Sequence, residues 1–448
     1  MLTRSGYVIK DGPIQEIKKE LTVRPIINNE FGFPPPPFRV YRTTKNGVCV
    51  PRFYGTSRVG EPGEDKRPEP VRSKAEFVGQ LRDATHQNAA LAAALSAGHG
   101  VLSLPCGYGK TTVSLAIACK LGYRTMIVVH KQFLADQWKE RIQQFCPGAT
   151  IGIVQQDKKE VECDFVIAML QSLSLKEYNF QDFDSIGTLI VDEAHHICAK
   201  VFSQSLFKLC PKHIFGLSAT PERKDGLTKV LHWFMGPTFF AVERKNQEQT
   251  EVFPISYECV MYRNPPPCTR FGKVSLVNMI TLLVEDQRRN KMIVDLIKKL
   301  SKTTRQILVL SDRRFHCELL HQCFPKTSGL YMGGMKEADL QASSKKQIIF
   351  ATFSQAHEGL DIATLDTVIL ATPKSDIVQS IGRIMRETDG KKNNPQIYDI
   401  KDEWSILVAM FYKRMKVYRN GGFKIQGGNV TEQSQDDKTF SQGKCLFL

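Results

Sequence analysis

An apolar run, Val101-Leu102-Ser103-Leu104, leads into Pro105-Cys106-Gly107-Tyr108-Gly109-Lys110-Thr111 and then into the helix-forming stretch Thr112 to Ala118. Strand, glycine loop and helix in that order constrain this chain more than any other stretch. Gly107 and Gly109 let the backbone wrap closely around a phosphate, and the loop opens on a helix N-terminus whose free N–H groups and dipole favour an anion. Pro105 through Thr112 would then cradle a nucleotide. Lys110 would reach its β- and γ-phosphates and the Thr111 hydroxyl would hold Mg²⁺. The loop departs from G-x-x-x-x-G-K-[ST] at one place, because Leu104 stands where the first glycine should be. Alone, it also fits a plain strand-to-helix turn.

With 448 residues the chain has room for more than one core. Its 61 Lys and Arg against 46 Asp and Glu give a net charge of +15, which suits a polyanionic partner without specifying one. No signal peptide is evident, and no apolar run approaches a membrane span, so a soluble, intracellular protein without a membrane partner is expected. Twelve cysteines are scattered without a C-x-x-C pair, and Cys119 and Cys210 read as reduced core thiols. His316, Cys317, His321 and Cys323 are residue types that bind zinc. In the helix expected over Arg313 to Phe324, His316 and Cys317 point in different directions, which argues against a metal site.

Residues 1–74 read as a separate basic accessory region, with 14 Lys/Arg against 8 Asp/Glu. Phe38 to Arg42 and Val48 to Tyr54 flank Asn46-Gly47, a dipeptide suited to a type I′ hairpin turn. Arginines and aromatics interleave there, as on a nucleic-acid surface or on a β unit packed against its neighbour. Gly60 to Pro70 reads as a linker. From residue 75, helix and strand alternate as in a doubly wound parallel sheet. Strands are expected over Val101 to Leu104, Thr125 to Val129, Ile151 to Val154, Phe165 to Ala168, Leu189 to Asp192 and Ile214 to Ser218. A second series follows the helical stretch Val274 to Leu300: Ile307 to Leu310, Gly329 to Met332, Ile348 to Thr352, Val368 to Ala371 and Gln396 to Asp399. The fold class is therefore α/β, with a first sheet domain over 75–235, a connection over 236–272, a second sheet domain over 273–420 and a flexible tail over 421–448.

Leu189-Ile190-Val191-Asp192-Glu193-Ala194-His195 places two carboxylates at the end of an apolar strand. Behind a phosphate loop, Asp192 would support Mg²⁺ and Glu193 would orient or deprotonate the attacking water. Together with Gly216-Leu217-Ser218-Ala219-Thr220-Pro221, Ala351 to Ile362 and Gln379-Ser380-Ile381-Gly382-Arg383-Ile384-Met385-Arg386, the chain over about 75 to 420 resembles the superfamily two helicases, with every motif in order. The Leu-Pro-Cys start of the phosphate loop looks most like XPB-type helicases and their relatives in large DNA viruses, including the poxvirus transcript-release helicase.

That resemblance implies two tandem RecA-like domains that share an ATP site. Lys110, Thr111, Asp192 and Glu193 would come from the first domain. Arg383 and Arg386, whose planar charge suits a transferring phosphoryl group, would come from the second, together with Gly359 and Asp361. Ser218, Thr220 and Gln379 would couple hydrolysis to domain movement, although Ser218 and Thr220 could simply cap the turn before Pro221. Gln87, near Leu81-Arg82, would pair with adenine. Arg223-Lys224-Asp225 stands where XPB-type proteins carry Arg-Glu-Asp, so the middle charge is reversed. Lys131, Gln137, Gln171, Arg313 and Thr352 would line the nucleic-acid channel and hold phosphates. Trp138 reads as core rather than as a stacking platform. No long basic insertion lies between Gly236 and Val274, a trait of the shorter viral forms.

The reading is an ATP- and Mg²⁺-dependent DNA helicase or translocase, 3′-to-5′ by resemblance, working in repair or transcription, including viral transcript release. Its partners would be DNA, RNA within a transcription complex, and transcription or repair proteins. It would reside in the nucleus, or in a virion or host cell for a viral form. Two alternatives stay open: an RNA helicase of the DEAH type, against which Met385 replaces the second glycine of G-R-x-G-R, and an ATP-gated clamp that does not separate strands.

Overall fold

The structure is a computed structural model and describes residues 1–26, 35–45, 47–105, 107–223, 225–242, 249–270, 272–358, 360, 362–385 and 393–427. The chain divides into two compact units, Met1–Glu243 and Arg244–Leu448.

The described strands of the first unit form an eight-stranded sheet. Its order is Lys158–Lys159, Ile151–Gln155, Phe165–Met169, Thr125–Val129, Thr188–Val191, His213–Ser218, His99–Ser103 and Thr238–Ala241. Only the Lys158–Lys159 hairpin runs antiparallel to its neighbour. Unbroken apolar runs form these strands because both faces are covered. Leu189 and Val191 pack with Leu206 and Phe234 on one side, while Ile190 packs with Val113 and Trp138 on the other.

The second unit carries a seven-stranded, all-parallel sheet, again counted over described residues. Its order is Ser328–Tyr331, Ile348–Thr352, Ile307–Ser311, Thr367–Leu370, Gln396–Asp402, Glu251–Tyr257 and Lys424–Ile425. Its two faces also alternate along each strand. Leu308 and Leu310 join Phe411 and Met415, and Ile307 and Val309 join Ile293 and Leu320. Both units are thus RecA-like parallel sheets, with a small β-containing region at the N-terminus of the first.

That N-terminal region is not separate, contrary to the expectation over 1–74. Leu2, Tyr7, Val50 and Tyr54 share one core with Leu189, Phe207 and Phe234. The hairpin pairs Arg42–Thr44 with Gly47–Val50, and Arg52–Val59, expected in part as strand, is a helix that begins after Pro51. Packing on the neighbour engages several of the basic and aromatic side chains. Arg42 donates to the Gln204 carbonyl (3.0 Å) and lies over the Phe207 ring. Arg52 donates to the Lys212 carbonyl (3.0 Å), and Phe53 stacks on His99 at 4.4 Å. The expected linker is also tied down, since Lys66 N–H bonds Leu2 O and Arg67 donates to Pro211 O, each at 2.8 Å.

Two further expectations change. The stretch 236–272 is no mere connection, because Thr238–Ala241 closes the first sheet and Glu251–Tyr257 enters the second. Pro254 masked the latter strand. It is tolerated because the far neighbour, Lys424–Ile425, pairs only with Glu251 and Val252, leaving Pro254 without a ladder partner on that side. The flexible tail expected over 421–448 does not hold for 424–426, because Lys424–Ile425 is a strand and Gln426 N–H bonds Val252 O at 2.8 Å; residues 428–448 lie outside the described residues.

The helix expected over Arg313 to Phe324 spans Arg314–Gln322, and no metal-binding cluster occurs among the described residues. His316 is instead a buried polar link, with Nε2 2.9 Å from Asn290 Oδ1 and Nδ1 3.0 Å from Ser311 Oγ. Burial, and then the charge of Arg289, hold its pKa down at about 3. The unfolded chain binds this proton near pH 6.5, so stability should be constant above that and fall as pH drops from about 6.5 towards 3. Between pH 7 and pH 5 the loss should be about 2 kcal/mol. Urea unfolding of wild type and His316→Gln at both pH values checks this, with a flatter pH response expected in the variant.

Candidate active site

Because the first sheet is parallel, the loops that carry the motifs leave from one edge, at the carboxyl ends of adjacent strands. Strand order sets their sequence along that edge: the phosphate loop after Ser103, then the turn after Ser218, Asp192, His130-Lys131 and finally Gln171. Chemistry-bearing loops thus occupy one end and the expected nucleic-acid contacts the other.

The phosphate loop turns through Gly107 (φ +86°) and Gly109 (φ +78°), both left-handed, and feeds the helix Lys110–Leu121. Lys110 Nζ donates to Leu104 O at 3.0 Å, so the ammonium rests on its own loop. Pro105, Tyr108, Thr111 and Thr112 line the same turn, all partly exposed. Gln87 has a different place from the one expected of an adenine reader. It is 1% exposed; its Oε1 accepts from Arg82 N–H (3.0 Å) and its Nε2 donates to Tyr108 O (3.0 Å). A Cβ on Gly109 would collide with that Nε2. Gln87 therefore braces the phosphate loop from beneath. Gln87→Ala should weaken ATP binding about tenfold, the equivalent of one net hydrogen bond of loop order, as measured by fluorescent-nucleotide titration.

Asp192 leaves its strand with its N–H on Val128 O (3.0 Å). One carboxylate oxygen accepts from Trp138 Nε1 (2.9 Å) and the other from Glu193 N–H (2.9 Å). Desolvation, and next the charge of Glu193, raise its pKa, while the indole hydrogen bond and Lys110 oppose the rise. Such an under-compensated carboxylate gains from a cation, and with the Thr111 hydroxyl it offers the hard oxygen donors that suit Mg²⁺. Trp138 is core, as expected, and its bond to Asp192 adds a polar role that core packing alone does not imply. The signal available was that a buried indole N–H needs an acceptor.

Glu193 sits in the left-handed region (φ +45°), and its Oε2 is buried without a hydrogen-bond partner among the described residues. His195 Nδ1 stands 3.5 Å from that oxygen and 3.3 Å from Ser218 Oγ. Burial and the Arg223 charge hold the His195 pKa down at about 4, so the imidazole is neutral and forms no ion pair with Glu193. Ser218 Oγ also accepts from Thr220 N–H (3.1 Å), so it caps the turn and touches the acidic loop at once. Arg223 pairs with Asp225 and donates to His195 O; Lys224 lies outside the described residues.

The remaining expected residues scatter. Lys131 stands just before the helix Gln132–Phe145 without a side-chain cap bond and is half-buried, with desolvation lowering its pKa. Gln137 is partly exposed on that helix, and Gln171 donates to His130 O at 2.6 Å. In the second unit, Arg313 donates to Val277 O (3.0 Å), Thr352 Oγ1 lies 3.2 Å from Ser354 Oγ, and Arg383 Nε donates to Ala356 O (2.9 Å). Cys106, Gly359, Asp361 and Arg386, and the side chain of Gln379, lie outside the described residues.

A parallel sheet with a phosphate loop and a paired-carboxylate loop on strands one apart, flanking His213–Ser218, defines a phosphate-loop nucleotide hydrolase. Residues 80–223 match the family model described as "Type III restriction enzyme, res subunit". The chain is 35% identical to "Putative ATP-dependent RNA helicase L396" of Acanthamoeba polyphaga mimivirus, across 96% of this chain and 86% of that protein. It is 30% identical to "Putative helicase 161L" of Invertebrate iridescent virus 6, across 79% and 85%. African swine fever virus "Putative ATP-dependent RNA helicase QP509L" is 26% identical, across 73% and 70%. Among solved structures, T4 UvsW covers 93% of this chain and 96% of its own, at 16% identity and a TM-score of 0.37. The chain belongs to the superfamily two helicases, in the family found in large DNA viruses, and is an ATP-dependent helicase.

Proposed function

We propose that this helicase uses ATP hydrolysis to track along DNA in the 3′-to-5′ direction and separate its strands, in DNA repair or in transcription, including transcript release. The observation that carries the hydrolytic step is the buried, unpartnered Oε2 of Glu193, next to the Asp192 carboxylate and along the edge from the phosphate loop. A carboxylate oxygen in that condition is an acceptor ready for the proton of a water molecule. Triphosphate would seat on the N–H groups of the loop into the helix at Lys110, and Lys110 would exchange Leu104 O for phosphate oxygens. Mg²⁺ held by Thr111 and Asp192 would neutralise charge on the β- and γ-phosphates. Arg383 and Arg386 of the second unit would complete the site when the units close, and reopening after hydrolysis would advance the strand.

The DNA reading is supported by the Leu-Pro-Cys start of the phosphate loop and by Met385 in place of a second motif glycine. A second reading, RNA, is favoured by the names of the mimivirus and African swine fever virus relatives. ATP turnover with no nucleic acid, single-stranded DNA, duplex DNA and RNA separates the two, and strand displacement on 3′- and 5′-tailed duplexes reads the polarity. Stimulation by DNA well above RNA, with displacement from a 3′ tail, is the expected result. Stimulation by RNA alone would move the substrate to RNA, and turnover without displacement would leave an ATP-gated clamp.

A further inference from the structure

At the boundary between the two halves of the first sheet's edge stand three imidazoles that no helicase motif role accounts for together. His130 follows the strand Thr125–Val129, and its ring lies on that of His196 with centroids 4.0 Å apart and planes 34° apart. His196 in turn lies on His195, at 4.4 Å and 37°. His195 meets both Glu193 Oε2 and Ser218 Oγ. At the other end, Gln171 holds the His130 carbonyl, and Lys131 is the next residue in the chain. The stack therefore runs from the residues expected to touch a nucleic-acid strand to the carboxylate expected to activate water.

We propose that the His130–His196–His195 ring stack is the mechanical link through which a strand seated on Lys131 and Gln171 sets the position of Glu193, with His196 as its positioning residue. This rests on the nucleic-acid-stimulated ATPase reading above. A strand phosphate on Lys131 would shift the loop after Val129. Tilted rings packed with centroids 4.0 and 4.4 Å apart pass such a shift on, because packed side chains are not freely compressible. A direct route is short here, since Asp192 N–H already bonds Val128 O on the neighbouring strand. The link acts through ring packing rather than charge. Burial lowers the pKa of all three imidazoles, that of His196 to about 3, so they stay neutral through the physiological range. A neutral aromatic ring at position 196 should consequently do the same work, and an aliphatic side chain should not.

The test uses the full-length protein as wild type, His196→Ala and His196→Phe. Basal and single-stranded-DNA-stimulated kcat, KM for ATP, DNA Kd and thermal midpoint are measured for each. His196→Ala is expected to keep basal kcat within about twofold and DNA Kd unchanged, yet lose at least fivefold of the stimulation ratio. His196→Phe should retain the ratio. A destabilised but correctly linked enzyme would lower the thermal midpoint without altering the ratio, so a purely structural role is distinguishable. If His196→Ala fails to fold, His196→Leu, which fills the space without a ring face, carries the same expectation. Wild-type stimulation in the alanine or leucine variant overturns the link, as does equal loss in the phenylalanine variant. Wild type stimulated by neither DNA nor RNA would sink the nucleic-acid reading itself, and this link with it.

Discussion

Glu193→Gln is expected to lower ATP turnover about 10²- to 10⁴-fold while leaving ATP binding intact. The amide keeps the size of the carboxylate and can stay in the left-handed turn that holds residue 193, but it cannot accept a proton from water. Its oxygen would still face the space that Oε2 faces now. Stopped-flow measurement of phosphate release with a parallel nucleotide-binding titration separates chemistry from affinity. An equal fall in both would mean that Glu193 shapes the nucleotide pocket and that some other group activates water.

Arg383→Ala should lower nucleic-acid-stimulated kcat by about 10³- to 10⁵-fold, the range for an arginine finger on a transferring phosphoryl group, with little change in ATP Kd. Affinity should hold because the phosphate loop, Lys110 and Asp192 all lie in the first unit. Loss of rate alone would tie the second unit to the transition state. Arg383 also holds Ala356 O through Nε, so Arg383→Lys, which keeps the charge but not the planar fork, is the informative companion. If the lysine variant recovers full turnover, the guanidinium geometry is irrelevant. If alanine leaves kcat unchanged, Arg383 serves only to fasten the helix Phe353–Glu358.

The N-terminal region bears on where nucleic acid should bind. Its positive charge accounts for part of the chain's basic excess, yet Arg42, Arg52 and Arg67 are committed to carbonyls of the first unit. Charge counted along a chain overstates the charge that a surface offers, because each guanidinium has five donors that buried carbonyls readily claim.

The sequence by itself determined the two parallel sheets, eleven of their strands, nine of them with both ends within one residue, and the order along the chain of phosphate loop, paired carboxylates and motif arginines. Those features are local. A short apolar run bounded by turn residues suits a strand buried on both faces, and a glycine loop between strand and helix binds anions through its own backbone. Tertiary structure alone decided what each polar side chain meets. Trp138 reaches Asp192 across 54 residues of chain, and Gln87 reaches Tyr108 across 21. The same holds for the half-buried strands at Thr238 and Glu251, whose mixed faces carry no periodic mark, and for Arg42, Arg52 and Arg67, which meet backbone carbonyls of the first sheet's domain. Burial is written into the composition of a segment, whereas a hydrogen bond or ring contact depends on which neighbour the strand order brings alongside.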